Sequence, residues 1–283
     1  MTASTRALLG IMLLCLLLPA LPVHADGWPQ RRGHGYYKLG FYTLRAMHYY
    51  EPGGNRIAIP TVGDYTFSFY GEYGLTDRLT AIAYVPVQRI TLNRQVGRET
   101  GFEYTEGDEI TSLADPILGV RFGLLQFGGT VVSAGLKLGL PLGNSDQTNG
   151  LYTGDGEFNQ QLSLEVGHSF YPIPAYALVT AGFNQRSSGF SDEVVFGVEA
   201  GYTVANNWTI IGRVQGLESL KNGDASGGQL GFAGNDQRYL LYGAELAYTH
   251  NDSYGFSLGV QNATRAHNVL SAPAFSAGLF LKR

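Results

Sequence analysis

Between Val131 and Leu140 the chain alternates without a break. Val132, Ala134, Leu136, Leu138 and Leu140 stand on one side, and Val131, Ser133, Gly135, Lys137 and Gly139 on the other. A period of two sends successive side chains to opposite faces of an extended strand, here one large and apolar, the other small or polar. The pattern returns with Leu162, Leu164 and Val166 against Gln161, Ser163, Glu165 and Gly167. It returns again with Val194, Phe196, Val198, Ala200 and Tyr202 against Gly197, Glu199, Gly201 and Thr203.

Carried along the chain, this reading predicts twelve strands, near residues 36–46, 65–73, 79–87, 115–124, 130–140, 159–170, 175–185, 193–203, 208–217, 239–248, 254–261 and 273–282. Many have the nine to eleven residues that a tilted strand needs to cross a hydrocarbon layer. Short connections rich in turn-forming residues, at 74–78, 126–129, 171–174, 204–207 and 250–253, alternate with longer segments at 47–64, 88–114, 141–158, 186–192, 218–238 and 262–272. Short periplasmic turns and longer outer loops are the arrangement of bacterial barrels, and it places both termini on the periplasmic side.

A soluble sandwich also alternates, so the minor face has to decide. It carries Lys38, Glu72, Arg121, Lys137, Glu165, Glu199, Arg213 and Glu245 among many glycines, which suits a narrow, wet lumen. Closure follows, because an unpaired backbone amide or carbonyl in lipid costs several kcal/mol and an open sheet would expose a row of them. Tyr73, Phe170, Tyr202, Trp208, Tyr248 and Tyr254 near strand ends fit a periplasmic aromatic girdle. The expected fold is an all-β, transmembrane, antiparallel up-and-down barrel.

The first 25 residues stand apart. Arg6 precedes an uncharged run from Ala7 to Val23, followed by His24 and Ala25, which reads as a cleaved secretory signal with the barrel occupying 26–283. Pro19 and Pro22 interrupt the run, which is short for a membrane span. Cleavage would remove Cys15, the single cysteine, so no intramolecular disulfide or thiolate chemistry is expected. It would also remove Arg6, leaving 18 basic residues against 23 acidic, a balance that argues against nucleic acid. Export implies an outer-membrane location, with its lipids and the barrel-insertion machinery as partners.

The lumen charges are the candidate site. Counting back from each short turn places Glu165, Glu199 and Glu245 at similar depth with Arg213, so that Glu199 should meet Arg213, and Arg213 Glu245, across the ladder. With Arg121 and Lys137 they form an expected mid-depth belt, either a rigidifying ion-pair network or a solute-selecting constriction. In the loops, Glu103, Glu106, Asp108, Glu109 and Asp115 match no calcium-loop signature, and neither they nor 146–157 are assigned a metal. No catalytic residue or cofactor is assigned. A lipid hydrolase would need a serine with an acidic or amide partner near His168, and the sequence offers none.

Four segments, 73–77 (Tyr-Gly-Leu-Thr-Asp), 112–122 (Ser-Leu-Ala-Asp-Pro-Ile-Leu-Gly-Val-Arg-Phe), 136–143 (Leu-Lys-Leu-Gly-Leu-Pro-Leu-Gly) and 154–157 (Gly-Asp-Gly-Glu), resemble the outer-membrane family named for the meta-pathway of phenol degradation. The chain departs from that family at Ala114, where glycine is usual, and its last strand departs from the usual barrel ending, since Phe280 is followed by Leu281, Lys282 and Arg283. The resemblance implies a transport-like barrel for aromatic or other apolar small molecules. With residues 26–35 too short for a hatch like that of fatty-acid barrels, any gate is expected from loops or lumen side chains. The readings are therefore a channel or facilitator for small solutes, a closed structural or surface-interaction barrel, and, furthest from the pattern, a lipid hydrolase.

Overall fold

The computed structural model describes residues 27–96, 103–145, 151–224 and 234–283; the leader predicted at 1–25 lies outside them. The strands are β1 (Gly35–Tyr50), β2 (Arg56–Gly74), β3 (Leu79–Leu92), β4 (Gln95–Val96), β5 (Glu103–Thr105), β6 (Asp108–Leu113), β7 (Ile117–Phe127) and β8 (Thr130–Gly139). There follow β9 (Asn159–Ser169), β10 (Ala175–Arg186), β11 (Glu193–Val204), β12 (Trp208–Ser219), β13 (Arg238–His250), β14 (Tyr254–His267), β15 (Val269–Leu270) and β16 (Ala274–Lys282).

Each long strand pairs antiparallel with its sequence neighbours, and β1 pairs with both β2 and β16, so the sheet closes on itself. β6 and β7 lie one after the other along β3, with Leu113 opposite Val87 and Ile117 opposite Tyr84. They act as one wall segment broken at Ala114-Asp115-Pro116, which brings the wall to the expected twelve. The break has a local cause: Pro116 brings no N–H to the ladder. The Ala114 N–H still donates to the Pro86 carbonyl at 3.0 Å across the gap.

The faces are as the alternation requires. Leu136, Leu164 and Val198 are 41%, 49% and 50% exposed on the outside of the wall, although they are among its most apolar residues. In water such a shell would be a large liability; against lipid it is the contact surface. Tyr73, Phe170, Tyr202 and Tyr254 stand exposed near the short-turn end, where Trp208, Tyr248 and Phe256 pack together with centroids 4.9 to 5.8 Å apart.

Three expected outer loops are partly wall. β1 and β2 leave only residues 51–55 between them where 47–64 was expected as loop, β3 runs on to Leu92, and β14 runs on to His267. Two of these extensions carry a register irregularity, whereas β3 runs on in unbroken register. Opposite Ala46 and His48 of β1, β2 carries two extra residues between Ala58 and Val62; opposite Arg238 and Leu240 of β13, β14 carries one between Thr264 and His267, and a single extra residue exchanges the faces beyond it.

The segment before β1 also corrects an expectation. Residues 27–30 lie inside the barrel near its short-turn end. The Gly27 carbonyl accepts from Ser133 Oγ at 3.0 Å, the Gln30 N–H donates to Thr80 Oγ1 at 2.8 Å, and Gln30 Nε2 donates to Glu72 at 2.8 Å. Trp28 meets the edge of Tyr176 at 6.1 Å, and it sits so close over Gly167 that a Cβ there would fall 2.6 Å from the indole. Four residues suffice because glycines at 123 and 167 leave room for Pro29 and Trp28.

Candidate functional site

The expected belt resolves into two separate networks. On one side of the lumen, the Arg121 guanidinium donates to Glu165 at 2.7 Å and to Glu72 at 2.9 Å. All three side chains are at most 5% exposed. Tyr70 Oη and Gln30 Nε2 also donate to Glu72. Charges out of water are tolerated only when each is paired and its remaining lone pairs are filled, and this set meets that condition.

On the other side, Arg213 donates to both Glu199 and Glu245, Lys38 Nζ lies 3.1 Å from Glu245, and Tyr176 Oη donates to Glu199 at 2.6 Å. Here the Arg213 side chain is 31% exposed. The register is what the turns imply, with Glu199 opposite Arg213 and Glu245 one rung away. Lys137 lines the lumen between these networks and forms no ion pair among the described residues.

Two interior cavities follow this division. One of about 420 Å³ is bounded by Lys38, Tyr42, Tyr84, Arg213, Glu245 and Phe280, among others. The other, about 310 Å³, touches Arg121, Lys137, Glu165, Leu178 and Glu199. Tyr70 and Glu199 border both.

A third group gathers beyond the strand ends at the long-loop side. Arg186 donates to Asp155 at 3.0 Å, to Glu193 at 2.8 Å and to Glu157. Asp115 accepts the N–H of Gly143 at 2.7 Å and of Asp155 at 3.0 Å. Three of the four sequence segments of the family resemblance therefore meet in one latch that folds the β8–β9 loop against the wall. Glu157 is 1% exposed and its Oε2 has no hydrogen-bond partner. Burial pushes its carboxyl up to about 8, and the nearby Arg186 only partly opposes this.

The remaining loop acids disperse. Glu109 pairs with Arg89 at 2.6 Å on the exposed outer wall, well apart from the Asp115 latch, and the side chain of Glu103 lies outside the described residues. His168 accepts or donates at Thr130 Oγ1, 2.8 Å away, and packs on Phe170.

Sequence reasoning placed Glu72 and Lys38 on the lumen face but did not join them to the arginines. Glu72 and Arg121 sit on β2 and β7, which both pair with β3 and never with each other. The inward position of residues 27–30 left no periodic signal at all.

The fold is similar to that of the COG4313 outer membrane channel from Pseudomonas putida F1, with a TM-score of 0.70 over 93% of this chain and 100% of that one, at 12% identity. The chain has an outer-membrane β-barrel fold. It is also similar to the NanC porin (TM-score 0.52, 7% identity, 87% of this chain and 100% of that one). The translocator domain of autotransporter NalP from Neisseria meningitidis matches at a TM-score of 0.50 and 11% identity, over 98% and 97%. No protein-family model matches the chain, and no curated protein matches it in sequence.

Proposed function

We propose that this protein is a channel or facilitator for small solutes in the outer membrane of a Gram-negative cell. One observation carries the reading: behind the lipid-facing shell the lumen keeps cavities of about 420 and 310 Å³ walled by charged and hydroxyl-bearing side chains. A barrel built only for strength would fill those positions with packed side chains. The buried Arg121 network, sealed by Gln30, braces one half of the cross-section. The Arg213 network, whose arginine is 31% exposed, faces the larger cavity and leaves it open to water and solute. Arg121, Lys137, Glu165, Glu199, Arg213 and Glu245 are the proposed constriction set, with residues 27–30 narrowing the periplasmic side.

Aromatic or other apolar small molecules are the proposed cargo. The resemblance of the short segments to the phenol-degradation family supports this, and Tyr36, Tyr42, Tyr84 and Phe280 in the cavity wall suit such molecules. The likeness to a named outer membrane channel and a named porin supports transport over hydrolysis. Export under a leader at 1–25 and insertion by the barrel machinery belong to the same proposal.

Conductance of the purified protein in planar bilayers tests it. Replacing Glu199, Arg213 and Glu245 together with small neutral residues should change conductance or charge selectivity. In a closed structural barrel the same change would only destabilise. A silent bilayer, together with unchanged solute uptake in a deletion strain, overturns the channel reading.

A further inference from the structure

The lumen carboxylates of the two networks each have an arginine or lysine partner. Asp64 does not. It projects inward from β2 at 6% exposure, and its oxygens take only neutral donors, Thr66 Oγ1 at 2.8 Å and Gln88 Nε2 at 3.0 Å. No lysine or arginine among the described residues pairs with it. A carboxylate accepts about four hydrogen bonds, so two donors leave acceptor capacity and an uncompensated charge.

Aromatic and aliphatic side chains surround it, together with the amides of Gln237, Gln261 and Asn262. Asp64 and Tyr42 border a cavity of about 160 Å³ together with Leu44, Tyr239, Leu241 and Leu270. Tyr42 lines this cavity with Tyr239 and the larger one with Tyr84. The cavity meets the larger one at Tyr42 and Gln261, which border both.

We propose that Asp64 and the tyrosines around it form a binding site for a small organic cation, an alkylammonium whose charged head sits at the carboxylate and whose apolar part lies against the leucines. The proposal deepens the channel reading and rests on it for its bearing on transport, but binding alone reports the site. A positive head would neutralise the buried charge and lie over tyrosine faces, which attract cations. A divalent metal would want several oxygen anions, and the wall supplies one carboxylate. An anion would be repelled, and a neutral molecule would leave the carboxylate uncompensated. The small volume suits a head group, with the rest of the molecule extending towards the 420 Å³ cavity.

Binding of n-butylammonium to the folded barrel in a maltoside detergent, with n-butanol and n-butyrate as matched neutral and anionic probes, tests the site. The ammonium should bind at least tenfold more tightly than either control. Asp64→Asn should weaken it tenfold or more, Asp64→Glu less than threefold, and Tyr42→Leu severalfold, with heat-modifiable gel migration checking that each variant is folded. Should Asp64→Asn misfold, the tenfold preference of the wild type and the Tyr42→Leu loss still decide. Equal binding of butanol and butylammonium, or unchanged affinity in folded Asp64→Asn, overturns the site. A barrel that conducts but shows no Asp64-dependent binding removes the site and spares the channel. One that binds yet stays silent in bilayers does the reverse.

Discussion

Replacing Arg121 with methionine isolates the structural half of the lumen. The guanidinium is 2% exposed and makes two charge-assisted bonds, at 2.9 and 2.7 Å, to carboxylates almost as buried. Removing it strands Glu72 and Glu165, at most 5% exposed, without the cation they share, and breaking a buried pair in this way costs about 3–5 kcal/mol. Arg213 also bridges two carboxylates, but its 31% exposure lets water screen the charges left behind, so Arg213→Met should cost roughly 1–2 kcal/mol. A triple variant, Arg121→Met with Glu72→Gln and Glu165→Gln, removes every charge of the first network and should recover most of the loss. Urea unfolding in phospholipid vesicles, followed by tryptophan fluorescence, measures all three. Trp28 in the lumen and Trp208 at the rim report from both environments. If Arg121→Met lay within 1 kcal/mol of wild type, or Arg213→Met cost as much as Arg121→Met, the division into a braced half and a wet half would be wrong.

Three further outcomes follow from the same geometry. Glu157 holds its proton up to about pH 8 in the fold against an ordinary value of 4.5, so the folded latch binds a proton that the unfolded chain gives up. Latch stability should then fall between about pH 4.5 and 8, by at most about 1.4 kcal/mol per pH unit, and level off above. Amide protection factors at Gly143 and Asp155 should follow that slope in the wild type and lie flat in Glu157→Gln. Leu164→Arg, on the lipid face, should cost about 2–4 kcal/mol in vesicle unfolding if it lies near mid-membrane, whereas arginine at an exposed soluble site would be nearly neutral. Deleting residues 27–30 should raise single-channel conductance severalfold, and unchanged conductance would show that the segment does not narrow the path.

The parts legible in the sequence are those that lipid enforces. Strand positions and faces, from Leu136 to Val198, were readable because hydrocarbon tolerates no lapse in the outward row. The Glu199–Arg213–Glu245 bridge was readable because short turns fix the register between β11, β12 and β13, so counting from the turn places each charge. Glu72 and Arg121 were not paired because their contact skips a strand, and only the curvature of the closed wall brings them together. On β14 a single extra residue past Thr264 reverses the alternation that the reading relies on, whereas past Ala46 it is β2 that carries two extra residues. Gln30 and Trp28 could not be placed, since a coil has no period and its position depends on which lumen residues are glycine.

The seam between β1 and β16 pairs Tyr36 with Lys282, and the backbones of Gly35 and Arg283 bond to each other in both directions. No other pairing in the wall joins residues so distant along the chain, and such contacts form late because the whole intervening loop must first be ordered. Until then both seam strands carry rows of unmet amides and carbonyls, which hydrocarbon cannot satisfy. A ring still open at this seam would turn those rows towards hydrocarbon, so the first strand and the last have to find one another before the wall is fully in lipid.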